Sequence, residues 1–341
     1  KKPEKLKRIG TIMTKPIRLS NSQISTFTDC NKKWHLDKVQ KIRPTFLSSP
    51  LYFGTIVDET IEHILLKKEG SHLDTFYEKL NNFQVNGSDK KMPDDLLSVR
   101  FGAGDVDANL VDQKHVNDAC DRLKIDQINK KDFLEYCKQK RKRKSALDPI
   151  EQYLFNHIAW VSLEQKGLML VEKLSEWIEE NVVEVHSAQK KIEISNENGD
   201  SFIGFLDFIA TLKNGKKVLV DLKTSSNPNA YYPEDSASKS VQLGIYSQQE
   251  KLPNVAYLVA DKKIRVREPR VRLKYVEGVI TEEWLDEVFD MIEEATEAIK
   301  EKLPKGAEAF EKNLDSCNNY SGCEYRGLCE RGSMQGLEVV K

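Results

Sequence analysis

The 341 residues suffice for a sizeable core, arranged as one large domain with an insertion or as two domains. Charged residues make up 31% and hydrophobic ones 39%, with a net charge of −1, so the chain reads as globular rather than disordered and carries no overall basic excess. No apolar run is long enough to span a bilayer and no signal-peptide pattern opens the chain, so the expectation is a cytoplasmic or nucleoid-associated protein, cellular or virus-encoded, without a membrane partner.

In chain order, residues 18–39 read as a helix opened by Ser20 or Ser22, with Ile24, Phe27 and Trp34 as its apolar stripe and Cys30 in or beside it. A second helix is expected over 53–70, with Val57, Ile61, Ile64 and Leu65 on one face and Asp58 and Glu62 sharing another. Residues 70–155 form a polar, helix-rich insertion, marked by loop signals at 86–95 and 101–105 and by the cationic run KQKRKRK at 138–144. A long helix follows over 157–180.

The period then changes. Residues 183–195, 201–212 and 216–225 alternate or run apolar, separated by turn signals at 196–200 and at Asn214-Gly215, and predict an antiparallel meander. A helix over 238–251, strands at 254–263 and 270–280 and an amphipathic helix at 281–302 complete an α/β domain with a mixed sheet. The resulting division is 1–69 (N-terminal helices), 70–155 (insertion), 156–302 (core) and 303–341 (C-terminal segment).

Charge is unevenly spread. Residues 1–18 hold seven Lys or Arg against one Glu, whereas 281–301 hold nine acids. Such asymmetry suits a basic surface facing a polyanion and equally suits ordinary solvated faces.

The unusual chemistry lies in DFIATLKNGKKVLVDLKTSS (207–226), where two β-like runs carry Asp207, Asp221 and Lys223. Two carboxylates at adjacent strand ends make a hard-oxygen site suited to Mg²⁺ or Mn²⁺, with the Leu222 carbonyl as a further donor. Lys223, two residues beyond Asp221, points to the same strand face and is placed to orient a water or stabilise charge on a phosphate. An acid-x-Lys triplet also occurs at Asp89, Asp112 and Asp261, and the competing reading is a surface salt bridge. Context separates them: Asp221 ends the run Val218-Leu219-Val220 and follows Gly204-Phe-Leu-Asp207.

Gly204-x-x-Asp207, then thirteen residues, then Asp221-x-Lys223, then Gln242-x-x-x-Tyr246 resembles the PD-(D/E)XK nuclease superfamily, and within it the RecB-type branch. The resemblance implies a restriction-endonuclease-like core, a mixed sheet flanked by helices, in which Gln242 and Tyr246 position the strand beside the metal site. The branch usually has Gly-x-x-x-His on an early helix. The corresponding stretch here is Gly54-Thr-Ile-Val-Asp58, which makes Asp58 the implied metal ligand, with Glu59 and Glu62 as solvated neighbours.

Six cysteines occur, Cys30, Cys120, Cys137, Cys317, Cys323 and Cys329, and three of them cluster near the C-terminus, suggesting a metal or cluster site. Ser20, Ser22, Phe27 and Cys30, with the tail around Cys323 and Cys329, are similar to the AddAB-type and CRISPR-associated exonucleases, in which one Cys precedes the nuclease core and three follow it. The resemblance implies a [4Fe–4S] cluster on Cys30, Cys317, Cys323 and Cys329, tying the chain ends together. Cys317 and Cys323 are separated by five residues where the family commonly has Cys-x-x-Cys, and zinc is the competing metal. Cys120 and Cys137 read as structural or incidental.

Other motifs fail. Residues 105–116 imitate a calcium loop but have Leu110 in place of the turn Gly and Val116 in place of the bidentate Glu. No G-x-x-x-x-G-K-[ST] phosphate loop occurs, and His35 and His63 read as ordinary helix residues. The expected function is a Mg²⁺- or Mn²⁺-dependent DNA exonuclease working on single strands or DNA ends in recombination, repair or defence, with a helicase or recombination protein as candidate partner and 130–144 as a candidate DNA-binding stretch. The alternatives are a nuclease-fold accessory protein that binds DNA ends without cutting, and a zinc-stabilised interaction protein.

Overall fold

The structure, a computed structural model, describes residues 15–83, 92, 94, 96–143, 145–263 and 271–340. The basic run at 1–14, most of the loop signal at 86–95 and Lys144 lie outside the described residues.

The chain opens with strand β1 (Arg18–Leu19) and helix α1 (Asn21–Asp29), whose first turn is capped by the Ser20 hydroxyl. The helix expected over 18–39 is broken at Cys30, where the backbone is extended. A short α2 (Asn31–Trp34) and a π-helical turn (His35–Val39) follow. The break has a tertiary cause, because residues of the C-terminal tail take up the backbone there: Lys32 N donates to Glu311 O (2.9 Å).

Strands β2 (Ile42–Pro44) and β3 (Leu47–Ser48) lead into α3 (Ser49–Leu65). Helix α3 begins ahead of the expected residue 53, since Pro50 fits a first helical turn whose amides need no partner. The insertion holds α4 (His72–Asn82), β4 (Val99–Arg100), α5 (Gln113–Leu123) and α6 (Lys130–Lys142). Helix α7 (Pro149–Asn181) starts earlier than the hydrophobic period suggested. Its start is set by a capping box in which Asp148 and Glu151 each accept the other's amide, at 2.9 and 2.8 Å.

The sheet follows as β5 (Val182–Ser195), β6 (Ser201–Leu212) and β7 (Lys217–Ser225). Next come α8 (Pro228–Tyr231), α9 (Val241–Glu250), β8 (Asn254–Asp261), β9 (Arg272–Val279), α10 (Glu282–Lys302), α11 (Arg326–Arg331) and β10 (Leu337–Val339). Strands β5, β6 and β7 form the expected antiparallel meander, β7 pairs with β8 in parallel through the α9 crossover, and β9 closes the sheet antiparallel to β8. Strand β1 lies parallel to the start of β6. The sheet is therefore mixed.

Helices cover both faces, as a strand run such as Val218–Leu222 requires. One face packs Val218, Val220, Leu222 and Phe208 against α3, α7 and the insertion; the other packs Leu219, Ile209 and Val259 against α1, α9 and α10. Apolar side chains of the insertion, among them Phe76, Leu80, Val116 and Phe133, belong to the same continuous core as the sheet. Helices α4 and α7 meet at Gly167, where a Cβ would lie 2.0 Å from the Phe76 ring. Among the described residues no helix is long and apolar enough to cross a membrane.

Candidate active site

The β6–β7 ladder runs from Thr211 opposite Lys217 to Phe208 opposite Val220 and stops there. The next residues are Asp207 and Asp221. Both lie inside their strands rather than at strand ends, as the sequence had suggested; it is the pairing between the strands that ends. The Asp207 side chain continues the ladder, with Oδ2 accepting from Leu222 N at 2.6 Å. Here β6 also changes sides, Leu206 joining the α9–α10 core and Phe208 the α3–α7 core. Diverging strands leave room for side chains between them, and the charged pair occupies it.

Asp221 is 1% exposed. Lys223, on the same strand face, brings Nζ to 2.5 Å from Asp221 Oδ2, yet neither Asp221 oxygen accepts a hydrogen bond of ordinary geometry. Burying a carboxylate without such bonds is costly and calls for a compensating positive charge. Helix α3 adds the third acid. Its Val57 and Ile61 are anchored in the core, and Asp58 stands in the field of Lys223 and Asp221.

The titration of these groups reflects crowding. Burial pushes the Asp58 carboxyl up to about 7; Lys223 opposes the shift, and Asp221 and Glu59 add to it. Burial, then the Asp221 charge, holds Asp207 well above the usual carboxylate range. Burial works against a charged Lys223, but Asp221 and Asp207 outweigh it and keep the ammonium protonated well above the usual lysine range. Acids raised in this way hold protons that a hard divalent cation would displace, and oxygen donors of this kind fit such an ion. The neighbouring acids point elsewhere: Glu59 pairs with Lys79 (2.6 Å) and Glu62 with Lys68 (3.0 Å).

Gln242 and Tyr246 sit one turn apart on α9 and are bonded to each other, Gln242 Nε2 donating to the Tyr246 hydroxyl at 3.1 Å. That hydroxyl donates to Phe205 O at 2.9 Å, and the ring is buried. Burial pushes the phenol up to about 12. A Cβ on Gly204 would lie 2.4 Å from the Tyr246 hydroxyl, so the glycine three residues before Asp207 is the seat of this tyrosine. Tyr246 thus holds the strand that carries Asp207. Tyr257, not singled out in the sequence, lies beside Asp221 across the β7–β8 ladder and donates to Ser240 Oγ at 2.6 Å. Only strand register identifies it.

The tail folds back on the N-terminus. β10 pairs antiparallel with β2, the Tyr325 hydroxyl donates to Ile42 O (3.0 Å), and Asn313 donates through its side chain to Asp29 O (2.8 Å) and through its amide to Cys30 Sγ (3.5 Å). Cys30, Cys317, Cys323 and Cys329 are all half-buried and free. Burial raises the Cys329 thiol, Lys312 opposes this, and Cys30 and Cys317 raise it further; Cys317 acts in the same way on Cys323. The four sulfurs therefore share one electrostatic neighbourhood. Cys120 and Cys137 are buried far from it in the insertion core. Among the described residues, no three His, Cys, Asp or Glu side chains stand together as a ready metal-holding group, at either place.

Several cations of the 130–144 stretch are already engaged. Lys140 pairs with Glu151 (3.0 Å), and Lys130 donates to the carbonyls of Ala108 and Val111. Arg141 lies over the Phe155 ring and reaches a cleft of about 1710 Å³ between the insertion and the cysteine end, whose lining mixes Lys33, Arg43 and Arg100 with Asp29, Asp37, Asp105, Glu324 and Glu338. Thr55, three residues before Asp58 on α3, is at the margin of this cleft.

A mixed sheet flanked by helices, with acids and a lysine where two strands part, fits the restriction-endonuclease-like fold of phosphodiester-cleaving nucleases. The model of the PD-(D/E)XK nuclease superfamily matches residues 18–330, and the chain belongs to that superfamily. None of the curated proteins matches it. Among solved structures, that of the protein SSO0001 aligns with 14% identity and a TM-score of 0.26, covering 54% of this chain and 84% of that one, too distant a likeness to carry an argument.

Proposed function

We propose that the protein is a metal-dependent deoxyribonuclease that hydrolyses phosphodiester bonds as an exonuclease, on single strands or DNA ends in recombination, repair or defence, and belongs to the RecB-type iron–sulfur branch. The observation that carries the reading is the cluster where β6 and β7 part: Asp207 bonded to Leu222 N, Asp221 buried with unbonded oxygens, Lys223 against it and Asp58 in the same field.

Asp58, Asp207, Asp221 and the Leu222 carbonyl would hold one or two Mg²⁺ or Mn²⁺ ions. A divalent ion there neutralises charge on the phosphate and makes a bound water more acidic. Lys223, kept protonated by its two aspartates, cannot serve as a base; its role is to orient the attacking water and stabilise negative charge on the phosphate oxygens. Tyr246 holds β6, and the half-buried Gln242 is the member of that pair left to meet the strand.

Cys30, Cys317, Cys323 and Cys329 would hold a [4Fe–4S] cluster. In support, their thiols are unpaired, they share one field, and the Asn313 amide already donates to a sulfur.

The test is digestion of end-labelled linear and circular single-stranded DNA with Mn²⁺. The reading expects linear strands to shorten from an end, circles to survive and Asp221→Ala to be inert. Retention of both substrates uncut, with binding intact, would instead support a DNA-end-binding accessory protein.

A further inference from the structure

A second pocket, of about 930 Å³, opens where β7 and β8 end and β9 begins, closed from behind by α7 and residues 104–107. Five cations line it, Lys166, Lys262, Lys263, Arg272 and Lys274, against two carboxylates, Asp107 and Asp261. Lys166 is 3% exposed and donates to a neutral oxygen, Asp105 O, at 3.0 Å. Lys274 likewise donates to Tyr232 O (2.8 Å) and Asn229 Oδ1 (3.1 Å). Among the described residues Lys262 has no carboxylate within ion-pairing distance. None of these three lysines is in an ion pair among the described residues, and burial pulls Lys166 and Lys262 below the usual lysine range, opposed only in part by Asp107 and Asp105 at Lys166 and by Asp105 at Lys262. An anion entering the pocket would relieve that cost.

Position adds to chemistry. Strands β7 and β8 are a parallel pair at the centre of the sheet, and ligands of open α/β sheets gather outside the carboxyl ends of parallel strands. Strand β7 runs from Lys223 to the pocket wall at Ser226, roughly 10 Å along an extended chain. Tyr231, 63% exposed on the wall, offers a stacking surface for a base.

We propose that this pocket binds a phosphate group of a nucleic-acid strand other than the one being cleaved, either a terminal phosphate or a backbone phosphate further along. The identity of the strand rests on the nuclease reading; the anion site rests on the lysines alone.

The test is fluorescence anisotropy of the full chain, freed of divalent ions so that nothing is cut, with labelled single strands bearing a 5′-phosphate, a 3′-phosphate or neither, over a range of salt. Inorganic phosphate serves as competitor. The variants are Lys262→Gln and Lys274→Gln, singly and together, with Lys305→Gln as control; where Lys274→Gln melts early, Lys262→Gln alone decides. Affinity is expected to fall about tenfold in the double variant, with the salt slope smaller by roughly 0.7 for each lysine–phosphate pairing removed. Loss confined to one phosphorylated strand identifies a terminal phosphate, and equal loss for all three a backbone phosphate. Affinity and slope matching the Lys305→Gln control, with no competition by inorganic phosphate, overturn the proposal. A protein that cuts nothing with Mn²⁺ but loses phosphate binding in these variants would sink the nuclease reading and leave this site standing.

Discussion

The carboxylate site and the cysteine end both join residues remote in sequence, but they differ in what supports them. Asp207, Asp221 and Lys223 lie on two strands of a sheet buried on both faces, and Asp58 is on a helix anchored by Val57 and Ile61. At the other end, Cys30 sits at a helix break, and among the described residues the small core beneath the tail has Leu36, Ile42, Tyr325 and Leu337 as its buried members. A charge can therefore be removed from the sheet without loosening it, whereas the tail has little apolar support of its own, and under the proposed iron–sulfur reading it would depend on the cluster. Substitutions should affect activity at the first region and stability at the second.

The largest contrast is expected from Asp221→Asn. Cleavage should fall on the order of 10³-fold, while the melting temperature stays within a few degrees of wild type; a collapse in melting would end the distinction between the two regions. Next comes Cys329→Ser. If a cluster ties Cys30 to the tail, its loss frees a loop of nearly the whole chain, worth up to about 5 kcal/mol by chain entropy. Visible iron–sulfur absorbance should vanish and thermal unfolding begin earlier. Full absorbance in the variant would count against the assignment.

Acidity sharpens the comparison. Asp58 goes from an ordinary 3.8 to about 7 in the folded protein. A carboxyl raised in this way binds its proton more tightly when folded, so its burial costs nothing below about pH 4. Metal-free stability then falls as pH rises toward and through 7, by up to about 4 kcal/mol. Asp58→Asn should remove that component from melting curves taken across this range. Because ligation needs the carboxylate, Mn²⁺ should raise the melting temperature more at pH 8 than at pH 6. The smallest effect is expected from Tyr246→Phe, which leaves Phe205 O without its donor and costs about 1–2 kcal/mol. Urea titration would measure it, with cleavage reduced far less than by Asp221→Asn.

The meander, the acidic pair and the lysine were legible because strand periodicity and the turn at Asn214-Gly215 are local signals. The start of α7 at Asp148 was equally local, yet hydrophobic period missed it because capping operates ahead of the apolar stripe. Other features had no local signature. The break at Cys30 follows from hydrogen bonds to residues nearly 300 positions away. The lysine pocket joins α7, β8 and β9.

What the amino-acid order determined by itself was the type and spacing of the chemical groups: two aspartates and a lysine on neighbouring strands, a tyrosine one helical turn from a glutamine, and cysteines at both ends. What only the tertiary structure decided was their environment. The ladder stops at Phe208 and Val220, so Asp207 bonds to an amide of the next strand, Asp221 is buried without hydrogen bonds, and Tyr246 fits against Gly204. The physical reason is that propensity and periodicity act over a few residues, whereas burial, register and the fields that shift a carboxyl arise from groups that only folding brings together.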